Sequence, residues 1–193
     1  MNNDTINTPF NPLDLYPDYN PDLHIIIPLT KGQYTIIDSI DADLAEFTWQ
    51  AAASGGKFAP YGFYARRYIK CKPLFMHTVI LQRTLNRELT AVEKVDHIDR
   101  NKLDNRRNNL RPATHFQNMQ NRKSPPNKNG YKGVYRVGSG WAAEIGYQGI
   151  KKYLGSGYPT PELAYLAYCK AALELHGEFV AREVIDFLAK YGE

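Results

Sequence analysis

Cysteine is nearly absent from this chain. Cys71 and Cys169 are the only two among 193 residues, and neither belongs to a C-x-x-C pair. A disulfide framework and a cysteine-built zinc knuckle are therefore excluded, and a reducing, cytoplasmic (intracellular) setting is expected. Long apolar runs are missing too. The longest, His24 to Leu29, is far too short to cross a bilayer, so no membrane partner is expected. Met1 to Thr5 carry no basic segment ahead of an apolar one, which predicts no secretory leader. Acidic residues are scarce in the middle of the chain. Residues 94–136 hold 11 basic and 3 acidic side chains and residues 61–93 hold 6 and 2, against 2 and 8 in residues 1–60 and 5 and 7 in residues 137–193. The overall +4 is thus a cancellation. The central block, at +8, is either a polyanion-binding face or a solvated basic surface.

What is present reads as an α+β chain of short modules. Residues 1–23, with Pro9, Pro12, Pro17 and Pro21 among Asn and Asp, suggest a flexible tail. Residues 24–73 suggest a small sheet-rich unit. It has strands over His24–Leu29 and Tyr34–Asp38 around Lys31-Gly32, a short helix over Asp41–Phe47 capped by Asp41, and a strand over Tyr61–Ile69. Residues 74–123 begin with helix-spaced apolar positions over Met76–Leu85. A strand over Val92–Val95 then delivers Asp96 and His97. A polar loop over Arg100–Asn109, a return strand over Leu110–Ala113 and a helix follow, with Thr114 and Gln117 placed as a capping box. A Pro/Asn linker spans residues 124–130. Residues 131–185 then predict three strands (Tyr131–Val137, Trp141–Tyr147, Lys151–Leu154) packed on one helix. That helix starts at Thr160-Pro161-Glu162, ends at Gly177, and carries a core stripe of Leu163, Ala167, Ala171 and Leu175.

Asp96, His97 and Asn118 form the constellation with chemical content. The first two end a strand, and the third lies early in a capped helix 22 residues later. Packing that helix on the strand pair would set a carboxylate and an amide oxygen near one another, and a hard divalent cation needs few protein ligands beyond these. Alternation along the strand would turn His97 the other way, where it could take a proton from a water in line with a phosphodiester. Asp99 and Asn105 fit turn-forming roles at least as well as ligand roles, and Asn121, one turn beyond Asn118, is an alternative ligand. His24, His115 and His176 read as ordinary surface or helix-end residues.

Val95-Asp96-His97-Ile98-Asp99, then Leu103 to Arg111, then Thr114 to Arg122 together resemble the H-N-H homing-type endonucleases. The resemblance implies a ββα-metal core over residues 74–123 and metal-dependent hydrolysis of DNA phosphodiester bonds. It implies His97 as general base, Asn109 as the residue bracing the loop that presents it, and Asp96 with Asn118 as ligands of one Mg²⁺ (or Mn²⁺). His77 matches a histidine often found upstream in phage members of this family. No structural zinc is expected. Arg106, Arg107, Arg111 and Arg122 are candidates to grip phosphates.

Gly130 to Arg136, Trp141 to Ile145, Tyr153 to Gly155 and Thr160 to Gly177 resemble the plant ethylene-response-factor (Apetala-type) DNA-binding domain. That likeness implies a sheet lying in the major groove of double-stranded DNA, with Lys132, Tyr135, Arg136, Trp141, Lys152 and Tyr153 as contacts. Tyr135 stands where plant members usually keep arginine, so the target sequence does not transfer, and Trp141 also fits a packed core aromatic. The order of the modules resembles phage-encoded homing endonucleases, which implies a phage gene in a bacterial host and a monomer on DNA. Two rivals stay open: a DNA-binding transcriptional regulator with an inactive nuclease core, and an RNA-binding module.

Overall fold

The computed structural model describes residues 10–55, 62–122 and 129–192. Lys123 and most of the expected linker lie outside the described residues. Helical and strand segments are both present and largely segregated, as an α+β chain requires. The chain divides into two compact units, one of Met1–Thr84 with Asn101–Asn109, the other of Leu85–Arg100 with Leu110–Glu193.

In the first unit, residues 10–23 do not behave as the flexible tail that their prolines suggest. Pro12–Leu15 form a helical turn (α1) capped by the Asn11 side chain. Tyr16 is only 4% exposed, and its hydroxyl donates to the carbonyls of Tyr34 and Leu103. The Phe10 ring stacks on Tyr34 at 3.8 Å. Aromatic burial outweighs the extended bias of the prolines here. His24–Pro28 (β1) and Tyr34–Asp38 (β2) pair antiparallel in the register Ile25↔Ile37, Ile26↔Ile36. The helix expected over Asp41–Phe47 is instead a 3-10 segment, Ser39–Glu46. Asp41 does not cap it: the side chain is fully buried and held by Arg83 and Arg107.

Gln50–Ala53 (β3), Phe63–Ile69 (β4) and Lys72–Phe75 (β5) form an antiparallel sheet in the order β3-β4-β5. The β4–β5 turn is two residues, Lys70 and Cys71, both at positive φ (47° and 63°). That is the primed geometry whose twist suits a hairpin. Met76–Leu85 (α2) matches its sequence reading. Ile27, Ile36, Ile37, Leu44, Trp49, Ala51, Ala65, Met76, Ile80 and Leu81 make the core. The loop 101–109 belongs to this unit and lies along β2: Ile36 N–H donates to Leu103 O and Asn105 N–H to Ile36 O.

The second unit contains Lys94–His97 (β6) and Leu110–Ala113 (β7), paired antiparallel with Asp96 opposite Arg111 and His97 opposite Leu110. His115–Asn121 (α3) follows, with the Thr114/Gln117 capping box fully formed. Val134–Val137 (β8), Gly140–Tyr147 (β9) and Ile150–Tyr158 (β10) form a three-stranded antiparallel sheet, order β10-β9-β8. Pro161–His176 (α4) covers it, with Thr160 as N-cap and Gly177 at the far end.

The buried α4 face is Ala164, Tyr165, Tyr168, Cys169, Ala172 and His176; of the expected stripe, Ala171 and Leu175 pack against the edge of this core while Leu163 is 46% exposed. The two tyrosines carry flat, largely apolar surface and fill the space the leucines were expected to occupy. His176 is correspondingly buried, and burial lowers its pKa. Gly133 makes the close approach possible. At φ +72°, any side chain there would strike the Glu144 carbonyl and the Tyr168 ring. A second helix, Arg182–Tyr191 (α5), continues past residue 185, and its Phe187 meets Tyr165 edge-on at 4.7 Å. The sheet module therefore rests on two helices rather than one.

Candidate active site

Asp96 and His97 sit side by side at the end of β6 and are 5% and 6% exposed. A buried carboxylate must be compensated. Asp96 Oδ2 accepts from Arg111 Nε (2.8 Å) and pairs with Arg111 Nη2 at 2.7 Å. Asn121 Nδ2 lies 3.1 and 3.2 Å from the two Asp96 oxygens and also donates to the His97 carbonyl at 2.9 Å. Arg111 is itself fixed from behind. Its Nη1 donates to the Glu178 carbonyl, and its guanidinium lies 4.1 Å from the centre of the Phe179 ring. Arg100 Nη1 donates to both Glu183 carboxylate oxygens at 2.8 Å. The β6–β7–α3 segment and the residues following α4 are thus joined by two arginines.

Of the two α3 amides, the structure brings Asn121 to the Asp96 carboxylate. Asn118 Nδ2 instead donates to Val95 O at 3.4 Å, which orients its amide against β6. Asp99 is exposed in the turn after β6, where Arg100 takes a positive φ of 69° and donates its N–H to His97 O. Among the described residues no cluster of three or more His, Cys, Asp or Glu could hold a metal ion. The donors present are one carboxylate with an uncharged amide beside it. Asn121 turns its Nδ2 to Asp96; with an asparagine amide presented through its oxygen instead, the pair would be a hard-oxygen set suited to a cation that keeps most of its waters, such as Mg²⁺, and unsuited to zinc. Asp96 Oδ1 accepts from Asn121 alone among the described residues, at 3.1 Å, and so has lone-pair capacity to spare.

In the first unit, Asn109 Nδ2 donates to Asp104 O at 2.9 Å, a brace across its own loop. Asn105 is fully buried and donates to Thr35 Oγ1 at 2.7 Å, which assigns it a scaffolding part. The His77 ring stacks on Phe75 at 5.4 Å and meets Tyr64 at 5.0 Å.

The basic loop departs from its expected phosphate-gripping part. Arg106 is buried between Asp104 and Asp18, and those hydrogen bonds raise its pKa. Arg107 is bound through Nε and Nη2 to Asp41 at 2.8 and 3.0 Å. Arg111 is committed to Asp96. These three guanidiniums are paired with carboxylates, Arg107 while still partly exposed, and of the four candidate arginines Arg122, just after α3, is the exposed one.

The register of the C-terminal sheet sorts the remaining candidates onto two faces. Arg136 pairs with Trp141 and Lys152 with Ile145, in phase with Val134 and Ala143, so the candidates Arg136, Trp141 and Lys152 take the helix-facing parity, though Arg136 and Lys152 are themselves exposed. Trp141 packs against the core, with the Arg136 guanidinium 5.6 Å from its ring centre. Lys132 is partly buried, which lowers its pKa. Tyr135 and Tyr153 fall on the outward face together with Lys151, which the sequence reading did not single out; all three are exposed. The Asp96–Arg111 pair was also missed, although directly opposed strand positions carried its signal.

Residues 91–120, from the approach to β6 into α3, match the family model of the HNH endonucleases. A relative from Acanthamoeba polyphaga mimivirus, an uncharacterized HNH endonuclease, is 38% identical over 114 residues. The alignment takes in 58% of this chain and 57% of that protein, so the chain spans little more than half the length of this curated relative. No solved structure matches the chain.

Proposed function

We propose that the HNH endonuclease segment at residues 91–120 works as a ββα-metal core that hydrolyses a DNA phosphodiester bond. On this reading the chain is a homing-type endonuclease targeted by its C-terminal sheet module. The observation that carries the proposal is the buried Asp96–His97 pair at the end of β6, with the Asn118 amide oriented on the same strand. Asp96 and Asn118 would hold one Mg²⁺ or Mn²⁺, which supplies charge stabilisation at the phosphoryl oxygens and the leaving oxygen. His97, on the opposite side of β6 from Asp96, accepts the proton of the attacking water. Asn109 keeps the intervening loop in shape through Asp104 O. The exposed Tyr135 and Tyr153 offer an aromatic face that duplex DNA can meet, with Lys151 beside them paired to Glu144. The viral source of the relative is in keeping with a mobile-element setting.

A second reading, a DNA-binding regulator with an inactive core, is favoured by one observation: the Asp96 carboxylate is already paired with Arg111. Cleavage decides between them. Purified protein with Mg²⁺ should nick or linearise plasmid DNA, and chelator should stop it. His97→Ala should lower the rate by about 10² to 10⁴-fold while duplex affinity stays near the parent value. Failure of the parent to cut a broad panel of DNAs would leave the regulator standing.

A further inference from the structure

The first unit separates its charges. No acidic residue occurs from Phe47 to the end of its first stretch at Thr84, while Lys57, Arg66, Arg67, Lys70, Lys72 and Arg83 all fall in that interval. The acids of the unit lie on other segments and neutralise its deeper arginines. Asp41 and Asp43 take Arg83, Asp104 and Asp18 take Arg106, and Asp41 takes Arg107. No ion pair among the described residues involves Arg66, Arg67, Lys70 or Lys72, all four of which lie on the β4–β5 hairpin.

The hairpin distributes these cations on both of its sides. Strand alternation sets Arg66 and Tyr68 on one face, with the guanidinium 4.8 Å from the Tyr68 ring centre. Arg67 and Lys72 take the other face, Lys72 being opposite Ile69, and Arg67 rests on Phe47 at 3.9 Å. Lys70 sits in the turn, and all six residues from 68 to 73 are exposed. A lysine and a proline on an edge strand also discourage sheet-to-sheet pairing, which accounts for Lys72 and Pro73. It does not account for two arginines on the central strand β4. A two-stranded ribbon is narrow enough for the major groove, whose two walls are both lined with phosphates.

We propose that the β4–β5 hairpin is a DNA-contacting finger that enters a groove of duplex DNA and holds phosphates on both walls through Arg66, Arg67, Lys70 and Lys72. It rests on the reading of the chain as a DNA enzyme and adds a second DNA surface to it.

The test uses the whole chain and a short duplex of arbitrary sequence, titrated at several salt concentrations. Each lost phosphate contact should flatten the plot of log affinity against log salt by about 0.9. Arg66→Gln/Lys70→Gln/Lys72→Gln should therefore reduce the slope by about 2 to 3 and weaken binding about tenfold or more at low salt. Lys70→Gln/Lys72→Gln alone should reduce the slope by about 2, and serves if the triple variant does not fold. Lys170→Gln/Lys190→Gln removes two exposed charges elsewhere and should leave the slope nearly unchanged. A second readout is built in. Cys71 lies exposed in the hairpin turn, whereas burial seals Cys169 and pushes its thiol up to about 12, so a maleimide should react first at Cys71. Duplex DNA should slow that reaction. Equal slopes in parent and hairpin variants, or unprotected Cys71, would overturn the finger alone. A parent that binds no duplex would overturn the DNA reading as well, and a parent preferring single-stranded RNA would overturn the choice of partner.

Discussion

The polar loop after β6 and the β4–β5 hairpin are both arginine-rich, yet the fold treats them oppositely. Arg106 and Arg107 are drawn inward onto Asp104, Asp18 and Asp41, while Arg66, Arg67, Lys70 and Lys72 form no ion pair among the described residues. A local count of positive charge therefore does not locate a polyanion-binding face. What decides is whether the fold returns acids to the same place. The central +8 block is partly spent as internal glue, and the available charge of the first unit sits just upstream of it.

The largest expected effect tests the inward half of this contrast. Arg83 touches two carboxylates: Asp41, fully buried and shared with Arg107, and Asp43, about half exposed. Asp41→Ala would leave Arg107 without its carboxylate and Arg83 with Asp43 alone, and loss of this fully buried partner should cost about 3 kcal/mol in urea unfolding. Asp43→Ala should cost less than about 1 kcal/mol, despite contacts of 2.7 and 2.8 Å to the same arginine. Equal losses from the two substitutions would erase the distinction between buried and surface pairs on which the contrast depends.

Next comes Arg111, which belongs with the inward arginines but grips a proposed metal ligand. Arg111→Met leaves Asp96 with only Asn121 and should cost about 3 kcal/mol. It also frees a carboxylate. Mn²⁺ should then raise the unfolding midpoint of the variant more than that of the parent, because a ligand stabilises the state that binds it. An identical Mn²⁺ shift in both proteins would show that Arg111 does not compete for Asp96.

These pairs also mark where the sequence stops being legible. The strand–loop–strand–helix order around Asp96 and His97, the Thr114/Gln117 box and the Thr160 cap were readable because each is settled within a few residues. The Arg111–Asp96 pair spans 15 residues and follows from strand register once β6 and β7 are aligned. The neutralisation of Arg107 by Asp41 spans 66 residues, and that of Arg106 by Asp18 spans 88. No local pattern encodes either one. The same limit explains residues 10–23, whose composition suggests a tail until Tyr16 finds the carbonyls of Tyr34 and Leu103. The α4 stripe was met only in Ala171 and Leu175, for a different reason. Counting only leucine and alanine as core overlooks Tyr165 and Tyr168, whose rings bury better than the leucines beside them.

The smallest effect bears on a surface pair, Arg87 with Glu93. Glu93 receives both Arg87 nitrogens at 2.8 Å and the Thr90 N–H at 2.8 Å. The Arg87 hydrogen bonds first, then the Thr90 backbone, lower its pKa from 4.5 to about 2. A carboxylate whose pKa is lower in the folded state stabilises that state fully above its unfolded pKa and ceases to do so as protonation overtakes it. The contribution should thus be level at neutral pH, decline as pH falls below about 4.5, and vanish near about 2. Unfolding midpoints of the parent and Glu93→Gln, compared across that window, should converge toward its acid end, and added salt should narrow the gap at neutral pH. A gap that persists unchanged to the acid limit would mean that Glu93 acts through its hydrogen bonds alone, not through its charge. The loop and the hairpin would then mark two extremes between which this surface pair does not lie.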